Sequence, residues 1–242
     1  MKLFSLANRN FKELYRDPVS VILGLALPVI MLVLFTSIYK RVQLPHFSPQ
    51  WMTPGVIVFS FAFLIMFAAV LLANDRESSF LIRLFTTPLT SSDFIFAYLI
   101  PFIPLAVIQI VICLITGVIM GGSFVNIMLS LIIFFPVLMI CISIGMIMGT
   151  LFTMTQVTAF GSALVTFIGL FCGAWAPLKE MGGIFETIGY ALPFAHAVDA
   201  SKYLLSGSSF SEILGNFYWV LIYSIILVAA AILSFRWKMK QR

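Results

Sequence analysis

Long apolar runs divide this chain into pieces of membrane-spanning length. A helix needs about 20 apolar residues to cross a hydrocarbon core roughly 30 Å thick. In lipid a helix satisfies all the backbone polar groups of a single segment. The runs contain no Asp, Glu, Lys or Arg and comprise residues 19–39, 54–73, 94–120, 125–152, 157–176 and 217–235. This pattern predicts an all-α membrane protein with six transmembrane helices, forming one domain over residues 18–242.

Composition and charge agree with a membrane location. Hydrophobic residues make up 62% of the chain and charged residues 10%, whereas a soluble domain carries about 25% charged residues. Ten of the 14 basic residues lie on the side that holds both termini, which the positive-inside rule predicts to be cytoplasmic. They are split between membrane-flanking segments, which does not favour a nucleic-acid partner. The cysteines and histidines lack the spacing of metal ligands, so we expect no metal site.

The first 17 residues are predicted to form an interfacial amphipathic helix. Leu3, Ala7, Phe11 and Leu14 recur at helical spacing on one stripe, a pattern typical of a helix that lies in the membrane surface. The alternative is a flexible basic tail. A helix break is predicted before Pro18, because proline restricts the residue that precedes it. The candidate surface residues of this segment are Arg9, Lys12, Arg16 and Asp17.

Small and polar residues inside the runs suggest packing and path positions. Gln109 is the amide placed deepest in a run, and a polar residue at this depth is a candidate for a substrate path. The alternative is a hydrogen bond to a neighbouring helix. No carboxylate or histidine lies inside a run, which argues against an ion-coupled carrier. Glycine pairs at GxxxG spacing favour close helix packing and comprise Gly117 and Gly121, Gly145 and Gly149, and Gly169 and Gly173.

Two segments between the runs are too structured in pattern to be simple connectors. Residues 74–93 combine charged residues with apolar positions at helical spacing, which predicts a short amphipathic helix. Such a helix can dock a soluble partner; the alternative is a helix that rests on the membrane surface. Thr90 to Asp93 could cap the helix that follows. Residues 176–216 are moderately apolar and carry Pro177 and Pro193. Two short helical pieces fit there, at 184–192 and 195–205, and they are typical of re-entrant or interfacial helices.

The order of these features resembles the membrane subunit of an ABC-2 type ABC exporter. The resemblance covers nearly the whole chain. It rests on the N-terminal helix leading into Arg16-Asp17-Pro18 and on the loop from Arg76-Glu77 to Thr87-Pro88-Leu89. It also rests on Gly173 to Leu178, Leu192-Pro193-Phe194 and Leu204-Leu205 with Gly207.

The resemblance implies a role for each segment. Residues 1–17 would be the connecting helix, residues 75–88 a cytoplasmic coupling helix that docks in a cleft on an ATPase subunit, and residues 177–212 extracellular re-entrant helices. Arg76, Glu77 and Arg83 would make polar contacts with the ATPase. The apolar and helix-ending residues of the coupling helix would be Leu81, Leu84, Phe85 and Pro88.

The chain is therefore expected to be a transport subunit without an ATPase site of its own. No GxxxxGK[ST] motif occurs in it. ATP and magnesium would be bound by a separate ABC subunit, and a second permease subunit, identical or paralogous, would complete the transporter in a bacterial cell membrane. The expected cargo is a drug, an antimicrobial peptide or another amphipathic molecule. The alternatives are a polysaccharide-exporting permease, an ATP-independent six-span channel or carrier, and a membrane enzyme, for which no catalytic constellation is present.

Overall fold

The computed structural model describes residues 2–78 and 90–240, and within these ranges it contains helices and no strands. Most of the predicted coupling helix lies outside the described residues. Two short 3₁₀ helices occupy Pro45–Phe47 and Phe210–Ile213. In chain order the α-helices are α1 (Lys2–Tyr15), α2 (Pro18–Val42), α3 (Pro49–Glu77), α4 (Ser91–Leu99), α5 (Phe102–Ile119), α6 (Ile127–Leu151), α7 (Met154–Phe171), α8 (Leu178–Met181), α9 (Gly183–Ala191), α10 (Pro193–Leu205) and α11 (Leu214–Lys240).

Six segments of the described chain are long and apolar enough to cross a membrane, as the sequence predicted. In five of them one long helix supplies the apolar part, namely α2, α3, α6, α7 and α11. The third segment is a pair, α4 and α5, with a turn at Ile100 and Pro101. The turn follows from Pro101 and Pro104, because neither has an N–H to continue the helical ladder. Thr90 and Asp93 form the predicted cap of α4, each side chain accepting from the other residue's backbone N–H.

Two buried amides compensate for backbone carbonyls that prolines leave without a helical donor. The carbonyl of Ala97 would bond the N–H at position 101, which is proline, and it accepts instead from Asn10 Nδ2 of α1 at 3.3 Å. The carbonyl of Gly24 would bond the N–H at position 28, also proline, and it accepts from Gln109 Nε2 of α5 at 3.4 Å. Both amide side chains are almost completely buried. Each therefore joins two helices at a point where a backbone polar group needs a partner.

Helix α3 is the central element of the bundle. It packs against α2, α5, α6, α7 and α10, and most extensively against α6. Gly145 and Gly149 of α6 make this contact close: a Cβ on Gly145 would lie 2.4 Å from the carbonyl oxygen of Ile65, and a Cβ on Gly149 would lie 2.7 Å from that of Ala69. Glycine is thus required at both positions for the two backbones to approach to this distance.

The other two glycine pairs are divided between helices and turns. Gly117 of α5 and Gly169 of α7 lie inside helices, and a Cβ on Gly169 would lie 2.9 Å from the ring of Phe59. Gly121 follows α5 with φ of +102°, and Gly173 lies in the turn after α7 with φ of +72°. Gly121 and Gly173 therefore serve as turn residues, because a positive φ is strained for residues with a side chain.

The bundle has two ends that differ in structure. We call one of them the near end. It contains α1, the last turn of α3 and the first turn of α7, and α11 ends there. The opposite far end carries α8, α9 and α10. Helix α10 is largely buried against α3, α6 and α11, while α9 exposes Ile184 and Phe185.

The close contact between α3 and α6 gives the first prediction. We expect Gly145→Ala to destabilise the chain by about 1–3 kcal/mol, because the added methyl group overpacks a backbone contact. The measurement is the temperature at which the purified chain in detergent loses its monodisperse size-exclusion peak. Gly215→Ala in α11 is the control, since its Cβ meets no atom within 4 Å. Equal midpoints for the two variants would contradict the close contact.

Candidate functional site

A buried carboxylate at the near end joins three helices. Asp75 is in the last turn of α3 and is 1% exposed. Its Oδ2 accepts hydrogen bonds from the guanidinium of Arg9 in α1 and from the hydroxyl of Tyr98 in α4. Arg9 also donates to the side-chain oxygen of Asn10 at 3.0 Å, and Asn10 in turn holds the carbonyl of Ala97. The four side chains form one polar network between α1, α3 and α4.

Electrostatics account for the position of Arg9. A buried carboxylate is costly unless a charge partner and hydrogen bonds offset its desolvation. Burial lowers the pKa of Arg9, but the hydrogen bond and the charge of Asp75 outweigh that effect and raise it overall. The ion pair therefore anchors α1 to the end of α3, and removal of either partner would break this contact.

The next two residues of α3 hold the ends of two other helices. Arg76 donates to the carbonyls of Thr150, at 2.7 Å, and Phe152, at the C-terminal end of α6. Glu77 accepts from the backbone N–H of Met154 at 2.9 Å, the first residue of α7. A cation at a helix C-terminus and an anion at an N-terminus both match the helix dipole and satisfy backbone groups that lack helical partners.

Asp75 thus binds α1 and α4, Arg76 binds α6, and Glu77 binds α7. We call these three residues the α3 hub. Arg76 and Glu77 were predicted to contact a partner ATPase, and the structure gives both of them partners within the chain. The hub stands directly before the rest of the predicted docking segment. The other residues predicted for ATPase contact lie outside the described residues and are Leu81, Arg83, Leu84, Phe85 and Pro88.

Helix α1 presents two different apolar faces. Leu6 and Ala7 are buried against the bundle, where α1 packs mainly on α4. Phe4, Phe11 and Tyr15 form a second stripe that is exposed. Exposed aromatic side chains suit a helix that lies in the headgroup region of a membrane.

The predicted surface residues of α1 and of the turn that follows it differ in exposure. Lys12 in α1 is exposed, as are Arg16 and Asp17 in the turn before α2. Arg9 was predicted to share that surface; its side chain is 31% exposed, and its guanidinium is paired with the buried carboxylate of Asp75.

The far end contains a cavity of about 470 Å³. It lies between the loop that precedes α3, the end of α7, and helices α8 to α10. Pro177 borders it just before α8, and Pro193 begins α10 at the first helical position, where its missing N–H is not needed. Among its polar lining residues are Lys202, Asp199 and Tyr190, whose hydroxyl donates to Asp199 at 2.5 Å.

Comparison with known proteins identifies the family of this chain. The sequence pattern that defines the ABC-2 type transporter family matches residues 1–206. The chain belongs to the ABC-2 type transporter family. In agreement, it is similar to proteins named transport permease ycf38 from three organisms. It is 27% identical to the protein of Porphyra purpurea over 227 residues, which cover 89% of this chain and 78% of the relative.

The two further relatives are comparable. The protein of Cyanophora paradoxa is 27% identical over 86% of this chain and 75% of its own length, and that of Pyropia yezoensis is 25% identical over 95% and 86%. This ABC-2 chain is therefore a transport permease of the membrane, as the sequence predicted. It is a transport subunit rather than an enzyme.

Several residues at the two ends of this permease escaped sequence reasoning. Asp75 was placed in a predicted coupling helix, yet its position within one turn of a long apolar run was a signal that α3 continues to it. Tyr98 and Asn10 gave no signal, because their roles depend on contacts 23 and 87 residues away in sequence. Lys202 could have been noticed as the single Lys or Arg of the short helical piece predicted at 195–205. Gln109, the candidate path residue, is buried at 2% exposure and donates to α2.

The ion pair gives the second prediction. Arg9→Ala leaves Asp75 buried without its cation, so we expect a destabilisation of about 3 kcal/mol or more and faster proteolytic release of α1. Both are measured on the purified chain, by thermal unfolding and by limited proteolysis. Glu13→Ala is the control: it removes the partner of Arg9 at 3.8 Å on the surface and is expected to change stability by about 0.5 kcal/mol or less. An equal effect of the two changes would contradict a structural role for the buried pair.

Proposed function

We propose that this permease is the membrane subunit of an ATP-driven ABC exporter whose ATP and magnesium are bound by a separate subunit. The observation that carries the proposal is the α3 hub, which links four other helices immediately before residues 79–89. Residues 79–88 belong to the segment that the family resemblance assigns to ATPase docking. A force applied there would reach α3 and the helices that the hub holds.

The hub suits the transfer of a rigid movement. Its contacts are hydrogen bonds from three consecutive residues of one helix to α1, α4, α6 and α7. A displacement of the last turn of α3 would strain all of them together. Packed interfaces respond to such strain by switching between discrete arrangements rather than by bending continuously. We therefore assign to the hub the step that converts movement of the ATPase subunits into movement of the bundle.

An exposed polar face on α7 supports the proposal that the transporter contains a second permease subunit. Thr155, Thr158, Ser162 and Thr166 recur on one side of this helix and are exposed in the single chain. Of the candidate spans found in the described residues, α7 is the least apolar. Hydroxyl groups at membrane depth are favoured where they face another helix or a water-filled path. We propose that the second permease subunit and the cargo path adjoin this face.

The proposed cargo is an amphipathic molecule such as a drug or an antimicrobial peptide. The proposed direction is outward, with both termini and the near end in the cytoplasm. The proposed location is a bacterial cell membrane; because the named relatives come from algae, a plastid membrane is the second location to test.

Co-purification tests the ATPase partnership. We expect the tagged chain, extracted from native membranes in mild detergent, to bring down a subunit with a Walker motif and orthovanadate-sensitive ATPase activity. Leu84→Asp places a charge in the predicted docking segment, so it should lower recovery of that subunit roughly tenfold or more, a loss that corresponds to about 1.4 kcal/mol of binding energy. Insertion of the variant should be normal.

Leu44→Asp is the matched control, since Leu44 is an exposed leucine in the loop at the far end. It should co-purify the ATPase like the wild type. Normal docking by Leu84→Asp would refute the assignment of the docking segment. A solitary oligomer without ATPase activity would contradict the exporter proposal and favour a six-span channel or carrier.

A further inference from the structure

The far-end cavity combines an apolar wall with a small set of polar groups. Its apolar side is formed by Trp51, Leu178 and Pro177. Lys179 and Tyr203 also line it and are exposed, so the cavity opens to the surface. Its volume of about 470 Å³ falls within the range of roughly 300–1,000 Å³ that is usual for small-molecule sites. The cavity is thus large enough for a ligand with both an apolar and a polar part.

Lys202 is the unusual residue of this cavity. It is 9% exposed, and its ammonium group donates to the carbonyl of Gly173 at 3.0 Å. The Nζ atom also stands 3.8 Å from the ring centroid of Trp51, in a cation–π contact. An ammonium has three donors. Within the described ranges no carboxylate lies within 4 Å of this Nζ. Such a buried charge without an ion-pair partner is costly.

The neighbouring groups favour an anion beside Lys202. Asp199 is a lining carboxylate whose charge acts on Lys202, but it lies more than 4 Å from the ammonium group, and its Oδ2 accepts from the hydroxyl of Tyr190 at 2.5 Å. The indole N–H of Trp51 is buried and has no acceptor in the part of the chain that the structure describes. Lys179 adds a second cation to the lining. The cavity therefore offers more donor than acceptor capacity around an apolar surface.

We propose that this cavity binds the anionic headgroup of an amphipathic molecule, with Lys202 as the cation that receives the headgroup and Trp51 as the apolar wall beside it. The proposal names a ligand class for the far end and, where it concerns cargo, it rests on the proposed exporter function. Binding itself does not depend on an ATPase, because the cavity is formed by this chain alone. Loss of the ATPase partnership and loss of this site are therefore separate outcomes.

A binding measurement tests the proposal directly. The purified chain is placed in nanodiscs of neutral phosphatidylcholine, and intrinsic tryptophan fluorescence is followed during titration with hexyl sulfate, whose charge does not change with pH. We expect a saturable signal. Lys202→Met should weaken binding by roughly ten- to hundredfold, as expected for losing a charge-assisted hydrogen bond. Lys40→Met, at the far end but outside the cavity lining, should bind like the wild type.

Two further probes distinguish the source of affinity. Inorganic sulfate should bind more weakly than hexyl sulfate, because it cannot use the apolar wall; equal affinity would overturn the amphipathic part of the proposal. Hexyltrimethylammonium should give no saturable signal that depends on Lys202. Equal binding of this cation, or equal affinity of hexyl sulfate for the wild type and Lys202→Met, would overturn the anion site itself.

The pH dependence provides a test that does not rely on the folding of Lys202→Met. Burial lowers the pKa of Lys202 to about 8, so wild-type affinity should fall as the pH rises through that value and the ammonium loses its proton. Lys202→Arg keeps its charge and should bind with little change over the same range; parallel curves for the two proteins would contradict the role of Lys202. Burial raises the pKa of Tyr190, so its hydroxyl does not mimic this response. The titratable and charged groups around Lys202 are Asp199, Lys179, Tyr190, Tyr203 and Cys172. His46, which is paired with Glu180, contacts the ring of Trp51.

Discussion

The requirement that every backbone polar group in lipid find a partner explains much of this structure. Prolines in α2 and before α5 remove helical donors. The freed carbonyls of Gly24 and Ala97 accept hydrogen bonds from amide side chains of other helices. The same requirement acts at helix ends, where Arg76 and Glu77 supply a cation and an anion to α6 and α7. Long-range polar contacts in this chain therefore form mainly where the regular ladder of a helix is interrupted. Helix breaks determine which helices become joined.

Helix α3 connects the two ends of the bundle. Trp51 lies in its first turn, at the far-end cavity, and Asp75 lies in its last turn, at the hub. The separation between these two residues corresponds to about 36 Å of helix at ~1.5 Å per residue. Because Gly145 and Gly149 hold the backbone of α6 against the middle of α3, a sliding motion of α3 would have to carry α6 with it. The two sites are therefore placed on one mechanical element.

The elements of the fold followed from the sequence, whereas the contacts between them did not. Apolar length predicted the six spans, and the residue types from Thr90 to Asp93 predicted the cap, because these features depend on local chemistry. Arg9 was predicted to face the headgroups, since its own helix supplies no reason to turn inward. The reason is Asp75, 66 residues away. Similarly, Gly121 matched a packing motif by spacing, but the helix ends before it. Pairings of this kind depend on how the helices are arranged in three dimensions.

The buried position of Asp75 also has a consequence for how the chain is made. Synthesis proceeds from the N-terminus, so Arg9 and Asp75 emerge before Tyr98. When α3 first enters the bilayer, the carboxylate of Asp75 can meet the guanidinium of α1, which is already present at the surface. The hydroxyl of Tyr98 arrives only with the next part of the chain. During biogenesis, Arg9 of α1 would thus pair with the carboxylate of Asp75 first, and α4, which is made later, would complete the burial of that carboxylate.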